Sequence, residues 1–196
     1  MRKMRRLLFA TVVVLLSCLT AGAQDYPKAE VFGGYSYFRA DGGDNLHGWN
    51  ASVAGNVNKW FGLAADFSGH YGQNFLRVTT PAGFVDAESN NNIHNFLFGP
   101  RFSYREHSTL EGFAHVLIGG SRSHVDASVS TPGFSTQVDA TDTAFAAAVG
   151  GGLDAKFHKR VAWRVFQADY VLTRFGDENQ HNFRVSTGLV LRLGSN

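Results

Sequence analysis

The chain has 196 residues and carries Phe 17, Tyr 6, Trp 3 and Gly 22, but only Pro 4 and Cys 1. Charged residues make up 17%, the formal net charge is +2, and the mean hydropathy is −0.14. Low charge without a greasy average excludes a disordered chain, collagen, a coiled coil and a disulfide scaffold. It also excludes a bundle of membrane helices, each of which needs about 20 consecutive apolar residues.

The one long apolar run opens the chain. Arg2, Lys3, Arg5 and Arg6 precede the apolar stretch 7–19, and Ala21-Gly22-Ala23 comes before Gln24. A basic segment, an apolar segment and an A-x-A site describe a secretory signal peptide. Residues 1–23 are therefore expected to be removed, leaving 24–196 as the mature domain. Leu15-Leu16-Ser17-Cys18 is close to a bacterial lipoprotein box, which would acylate Cys18 instead. An uncleaved anchor is a third reading, though the run is short for a span. Cleavage after Ala23 removes four of the 18 basic residues and no acid, leaving 14 against 16. The basic excess belongs to the signal, so no nucleic-acid partner is expected. The mature chain would also contain no cysteine, hence neither a disulfide nor a thiol nucleophile.

From there the dominant period is two, the period of a strand. Residues 30–39 are rich in Tyr and Gly. Residues 48–57 set Trp49, Ala51, Val53, Gly55 and Val57 against Asn50, Ser52, Ala54 and Asn56. In 61–71, Phe61, Leu63, Ala65, Phe67, Gly69 and Tyr71 oppose Gly62, Ala64, Asp66, Ser68 and His70. Residues 95–104 set Phe96, Phe98, Phe102 and Tyr104 against Asn95, Gly99, Arg101 and Ser103. Pro100 lies inside this strand, where its missing N–H calls for a bulge or a local break in pairing. Residues 112–122 set Ala114, Val116 and Ile118 against Phe113, His115 and Ser121; residues 145–156 set Phe145, Val149 and Leu153 against Gly150, Gly152 and Asp154. Residues 161–172 fit either register, and a bulge between Arg164 and Gln167 reconciles them. Residues 183–193 set Phe183, Val185, Leu189, Leu191 and Leu193 against Arg184, Ser186, Gly188 and Arg192. Eight strands are expected.

The connections alternate in length. Residues 58–59, 105–109 and 157–160 are tight and polar, whereas 40–47, 72–92, 123–142 and 176–181 are longer. In the two longest, Thr80-Pro81-Ala82-Gly83-Phe84 and Thr131-Pro132-Gly133-Phe134 have the chemistry of hairpin tips. Strands of about 10 residues with an apolar face, short turns at one end and long loops at the other mark an outer-membrane barrel. Hydrocarbon offers the backbone no partner, so such a sheet must close on itself. The opposite face is small and polar, which suits a narrow lumen holding a charge network of Asp66, Arg101, Asp154, Arg184 and Arg192. Aromatics gather at strand ends: Trp60, Tyr104 and Trp163 near short turns, and Tyr35, Tyr37, Tyr71 and Tyr170 near long loops. These are expected to mark the two membrane interfaces.

On these features the chain resembles the small outer-membrane β-barrel proteins of the OmpA, OmpX and OmpW type, over residues 31–193. The last strand is similar to the pattern that the family's assembly machinery reads, through Ser186, Gly188, Leu191 and Leu193. It departs from that pattern in ending on Gly194-Ser195-Asn196 rather than on Phe. Arg164, Gln167, Asp169 and Tyr170 also resemble the family's charged, lumen-directed late strands. The resemblance implies an all-β, eight-stranded, up-and-down antiparallel transmembrane barrel, preceded by a cleaved signal peptide. It implies Sec export to the outer membrane, periplasmic chaperones and outer-membrane lipids as partners, and a monomer.

An eight-stranded interior is just filled by its side chains, so open flux is not expected. The function read from this is a structural or surface role, with at most a narrow water path and long loops that bind a ligand or surface. A small-solute channel is the alternative. A lipid-modifying enzyme is the second, because deacylase relatives use a His-x-Ser element. His107-Ser108 and Ser123-His124 have the wrong spacing for it. His70, His94, His115 and His181 show no metal-ligand spacing, and no cofactor motif is present, so no catalytic residue, metal or cofactor is expected.

Overall fold

Alternation of large apolar with small or polar residues resolves into eight strands. They are β1 (Ala29–Arg39), β2 (Asn45–Asn56), β3 (Phe61–Thr80), β4 (Gly83–Tyr104), β5 (Leu110–Thr131), β6 (Phe134–His158), β7 (Val161–Phe175) and β8 (Glu178–Leu193). The computed structural model describes residues 26–80, 83–106, 109–176 and 178–194. The expected signal segment 1–23 with Cys18, and the His107-Ser108 pair, lie outside the described residues. Each strand pairs antiparallel with its sequence neighbour, and β1 pairs with β8 to close the barrel. The expected eight-stranded antiparallel up-and-down barrel is the observed fold.

The faces fall as the two-residue period requires. Trp49, Val53, Leu63, Phe67, Phe96, Phe98, Phe102, Val116, Ile118, Phe145, Val149, Phe183, Leu189 and Leu191 all stand exposed on the outer wall. In a soluble protein such a continuous apolar surface would aggregate; facing acyl chains it is the solvated side. The two irregular places behave as their residues dictate. The β7–β8 register shifts between Arg164 and Gln167, so Val165 and Phe166 both face outward. At Pro100 pairing with β3 continues through Leu63. The β4–β5 ladder, by contrast, skips from Phe98 to Arg101 without changing register. The proline thus produces a break in pairing and not a bulge.

The structure corrects the extent of the long connections. Residues 72–92 and 123–142 are almost wholly paired strand, with β3 and β4 in register out to Thr80↔Gly83 and β5 and β6 out to Thr131↔Phe134. Residues 178–181 likewise belong to β8. Of these four longer connections, the first keeps a five-residue loop at 40–44, closed by Ala40 N–H donating to the Asp44 carbonyl at 2.9 Å. Gly133 and Gly176 supply the positive φ (91° and 58°) that the tight tips at Pro132-Gly133 and after Phe175 demand. The reason is physical: beyond the membrane neither face is uniformly apolar, so the pairing continues while its hydrophobic signature fades.

A ladder without free ends resists SDS at room temperature. The refolded protein is therefore expected to migrate differently on SDS gels before and after boiling, and identical mobility would contradict the closed barrel.

Candidate functional site

The inward parity carries the charge. Arg184 on β8 lies at the centre of one cluster and is fully buried. Its Nη1 donates to Asp66 Oδ1 (2.7 Å) and Ser68 Oγ (3.0 Å) on β3. Its Nε and Nη2 donate to Asp169 Oδ2 on β7 (2.9 and 2.7 Å). Asn50 Nδ2 donates to the other Asp66 oxygen at 3.0 Å, and His115 Nε2 lies 2.7 Å from Asp169 Oδ1. Gln167 connects this cluster to the next, with Nε2 donating to Asp169 Oδ2 (2.8 Å) and Oε1 accepting from Arg164 Nη1 (2.7 Å).

Arg164 then forks onto Asp154 at 2.8 and 3.2 Å, and Arg101 Nη2 approaches the same carboxylate at 3.5 Å. Arg101 Nη1 reaches Glu30 Oε2 at 2.7 Å. Glu30 is also approached by Arg105 (3.3 Å) and Arg192 (3.6 Å). Arg192 Nη2 donates to Glu111 Oε2 at 2.5 Å, and Lys156 Nζ stands 3.0 Å from Glu111 Oε1. Arg101 and Arg164 also each lie over the Phe113 ring, at 4.3 and 4.2 Å from its centroid. The result is one unbroken chain of alternating charge that runs from mid-barrel to the end with the short turns. Each member is affordable in a desolvated interior only because its neighbours carry the opposite sign.

All five charges assigned to the interior from the sequence, Asp66, Arg101, Asp154, Arg184 and Arg192, are at most 4% exposed, and the structure brings them into this one chain. Sequence reasoning missed Glu30 and Glu111, the two carboxylates on which the Arg101 and Arg192 end depends. The signal was present: Glu111 shares the parity of Phe113 and His115, and Glu30 that of Ser36.

The lumen differs from the small-residue interior expected. Phe38, Leu46, Ile93, Leu97, Leu117, Ala146, Ala148 and Val171 point inward and form a buried apolar cluster. With Ala54 and Ala64 the cluster reaches from Phe38 and Leu46, beside the 40–44 loop, through the middle of the barrel. Above Ile93 a cavity of about 550 Å³, with Asp41, Asp44, Asn91, Ser123 and Asp142 in its lining, occupies the hairpin end. Phe32, Ala162 and Val190 form a second, smaller cluster. Small residues on the inward parity occur where strands crowd, as at Gly34↔Gly188 across the closing pair.

The aromatics stand on the outer wall. Trp60, Tyr104 and Trp163 are exposed beside the short turns, and Trp163 Nε1 donates to Thr187 Oγ1 at 3.1 Å. At the other end the tyrosines meet histidines: Tyr35 with His47 (2.5 Å), Tyr71 with His94 (3.3 Å) and Tyr170 with His181. Tyr37 is half-buried on the same wall and donates to Asn45 Oδ1 at 2.5 Å. Of the last-strand residues, Ser186 points inward and shares a 2.9 Å hydrogen bond with Ser36; Leu191 and Leu193 are exposed.

The hairpins beyond the membrane carry their own contacts. A hydrogen bond from Arg77 holds the Asp86 carboxyl below its ordinary range, and Asp86 in turn raises the Arg77 guanidinium. His124, Asp126 and Asp139 bring their donor atoms within 4.8 Å of one another. His124 reaches Asp126 through Nε2 and Asp139 through Nδ1. The imidazole stands between the two carboxylates, and its Nδ1 also shares a 2.7 Å hydrogen bond with Thr141 Oγ1. Ser123 has the inward parity and His124 the outward one, so this pair cannot act as nucleophile and base.

A closed antiparallel barrel with an apolar outer wall, aromatic rims and a filled interior defines a transmembrane β-barrel. Residues 9–190 match the family model described as the outer membrane protein β-barrel domain, and the chain belongs to that family. The protein is a multi-pass outer-membrane barrel in contact with outer-membrane lipids. Its fold is similar to that of Ail, the attachment invasion locus protein of Yersinia pestis. The match has 18% identity and a TM-score of 0.52, and covers 85% of this chain and 99% of Ail. A second structure of Ail, in complex with the heparin analogue sucrose octasulfate, matches at 16% identity with a TM-score of 0.55 and the same coverage. Neisserial surface protein A aligns at 12% identity and a TM-score of 0.43, over 88% of this chain and 99% of its own. No curated protein sequence matches the chain.

Replacing Arg184 by Met leaves Asp66 and Asp169 buried without their cation. Urea unfolding in lipid vesicles is expected to show a loss of about 3–5 kcal/mol; an unchanged midpoint would remove Arg184 from the centre of the network.

Proposed function

We propose that the protein is a monomeric, non-enzymatic surface protein of the outer membrane, whose extended β3–β4 and β5–β6 hairpins contact a partner outside the cell. The observation that carries this reading is the doubly blocked interior. Below a polar cavity at the hairpin end, the apolar cluster packs the middle of the barrel. The chain of ion pairs occupies the half toward the short turns, so side chains stand across the route a solute would take. In this reading Asp66, Arg101, Asp154, Arg184 and Arg192 hold the wall together. Trp60, Tyr104 and Trp163 anchor one interface, and Tyr35, Tyr37, Tyr71 and Tyr170 the other. Residues 1–23 are removed after Sec export, and residues 24–196 pass through periplasmic chaperones. The assembly machinery then reads Ser186, Gly188, Leu191 and Leu193.

Charge narrows the partner. Residues 40–44, 72–92 and 123–142 contain Arg77 as their one Lys or Arg, against Asp41, Asp44, Asp86, Glu88, Asp126, Asp139 and Asp142. The heparin analogue bound by Ail is a polyanion, and a surface of this sign repels one. A neutral or cationic partner fits instead, met by the exposed Phe75, Leu76, Phe84 and Phe134.

In planar bilayers the purified protein is expected to give no regular single-channel steps; a reproducible unitary conductance would favour the small-solute channel. Lipid A mass spectra from cells with and without the protein are expected to superimpose, and a lost acyl chain would instead establish an enzyme.

A further inference from the structure

The β2–β3 ladder ends at His47↔Tyr71, although β3 and β4 stay paired for nine more residues. Where the strands part, a cleft of about 690 Å³ opens, lined by Asn45, His47, Tyr71, Gln73, Asn90 and Asn92. Its size falls within the range of small-molecule sites, about 300–1,000 Å³. All six residues have the outward parity: Asn45 and His47 that of Trp49, Gln73 that of Tyr71, Asn90 and Asn92 that of Phe96. The cleft therefore opens on the outer wall and not into the lumen.

Its height follows from the register. The row directly beneath reads Tyr35↔Trp49↔Gly69↔His94 across four strands, the aromatic rim at the boundary of the hydrocarbon. Gly69 is the gap in that row. A Cβ there would meet Trp49 Nε1 at 2.8 Å and His94 Cδ2 at 3.1 Å, so the two rings close over it. One register row is two residues, about 7 Å along a strand. The cleft accordingly sits at the level of the lipid headgroups, with the apolar wall continuing below it.

The lining specifies the chemistry. Four carboxamides, groups that pair a donor with an acceptor, line the cleft beside the rings of His47 and Tyr71, and Asn90 Nδ2 already donates to Glu88 Oε1 at 3.5 Å. The carboxamides of Gln73 and Asn92 hydrogen-bond to no other described residue. Asn45 already accepts from Tyr37 through Oδ1, which leaves its NH₂ to donate. Asp126 closes the β5 edge, and no Lys or Arg is among the described residues lining the cleft. A phosphate or sulfate would face that carboxylate without a cation, and an acyl chain would strip the amides of water with nothing in return. Adjacent hydroxyls on a ring with an apolar C–H face satisfy both amides and aromatics. We infer that this cleft binds an uncharged pyranose ring carried by a glycolipid of the outer leaflet, whose acyl chains run down the wall beneath it.

The test uses the full mature barrel in dodecylphosphocholine micelles, with Trp60→Phe and Trp163→Phe so that Trp49 is the one remaining indole. Titration with dodecyl maltoside is expected to change Trp49 emission saturably. Asn92→Ala combined with Gln73→Ala is expected to raise the half-saturation concentration about tenfold, the loss of two modest hydrogen bonds. The isosteric Asn92→Asp is expected to weaken binding as well, and heat-modifiability of each variant reports that the barrel is intact. Free maltose at matched concentration is expected to give no saturation. A linear response to dodecyl maltoside that ignores these substitutions would overturn the site. An equally tight response to free maltose would overturn its lipid-borne ligand.

Discussion

Everything in this protein depends on a backbone ladder without a free end. Within hydrocarbon an unpaired N–H or C=O has no partner, so β1 must find β8. Closure at eight strands fixes the diameter, and that diameter leaves an interior just wide enough for side chains. Whatever the inward parity carries must then pack or pair. The alternating charges from Arg184 to Glu111 and the apolar cluster around Phe38 and Leu117 are two solutions to the same filling problem. The ionic solution tolerates the short-turn end, where Arg105 and Lys156 join the chain of charges; the apolar one packs the middle of the barrel, below a polar cavity at the hairpin end.

Filling the interior moves function to the exterior. The strands have unequal lengths, 12 residues in β2 against 20 in β3, and neighbours of unequal length must part company above the membrane. That mismatch projects the paired hairpins with their acidic residues and exposed phenylalanines, and it opens the cleft beside His47 and Tyr71. The two surfaces differ in chemistry because they face different phases. In the reading proposed above, the hairpin tips meet water, whereas the cleft lies over the aromatic rim at the edge of the lipid.

Much of this was legible along the chain. The two-residue period assigned the outer face correctly in every strand it covered, since alternation is a local property of an extended backbone. It also placed the disturbance between Arg164 and Gln167 and the break at Pro100. Three things were obscured. Residues 72–92 read as loop because strand pairing above the membrane needs no apolar face. Phe38, Leu46 and Leu97 were not singled out as inward, because an apolar residue fits a packed lumen as well as lipid. Glu30 and Glu111 were overlooked because an isolated acid near a strand end looks like ordinary surface.

The sequence by itself determined the compartment, the strand count and the face on which most side chains stand. Each of these follows from composition or from a period spanning a few residues. Only the tertiary structure decided which side chains meet. Arg184 and Asp66 lie 118 positions apart, and Glu30 receives cations from β4 and β8 as well as from Arg105. These contacts depend on the register and stagger of a sheet closed upon itself. Stagger is a property of all eight strands together, so no single stretch of sequence carries it.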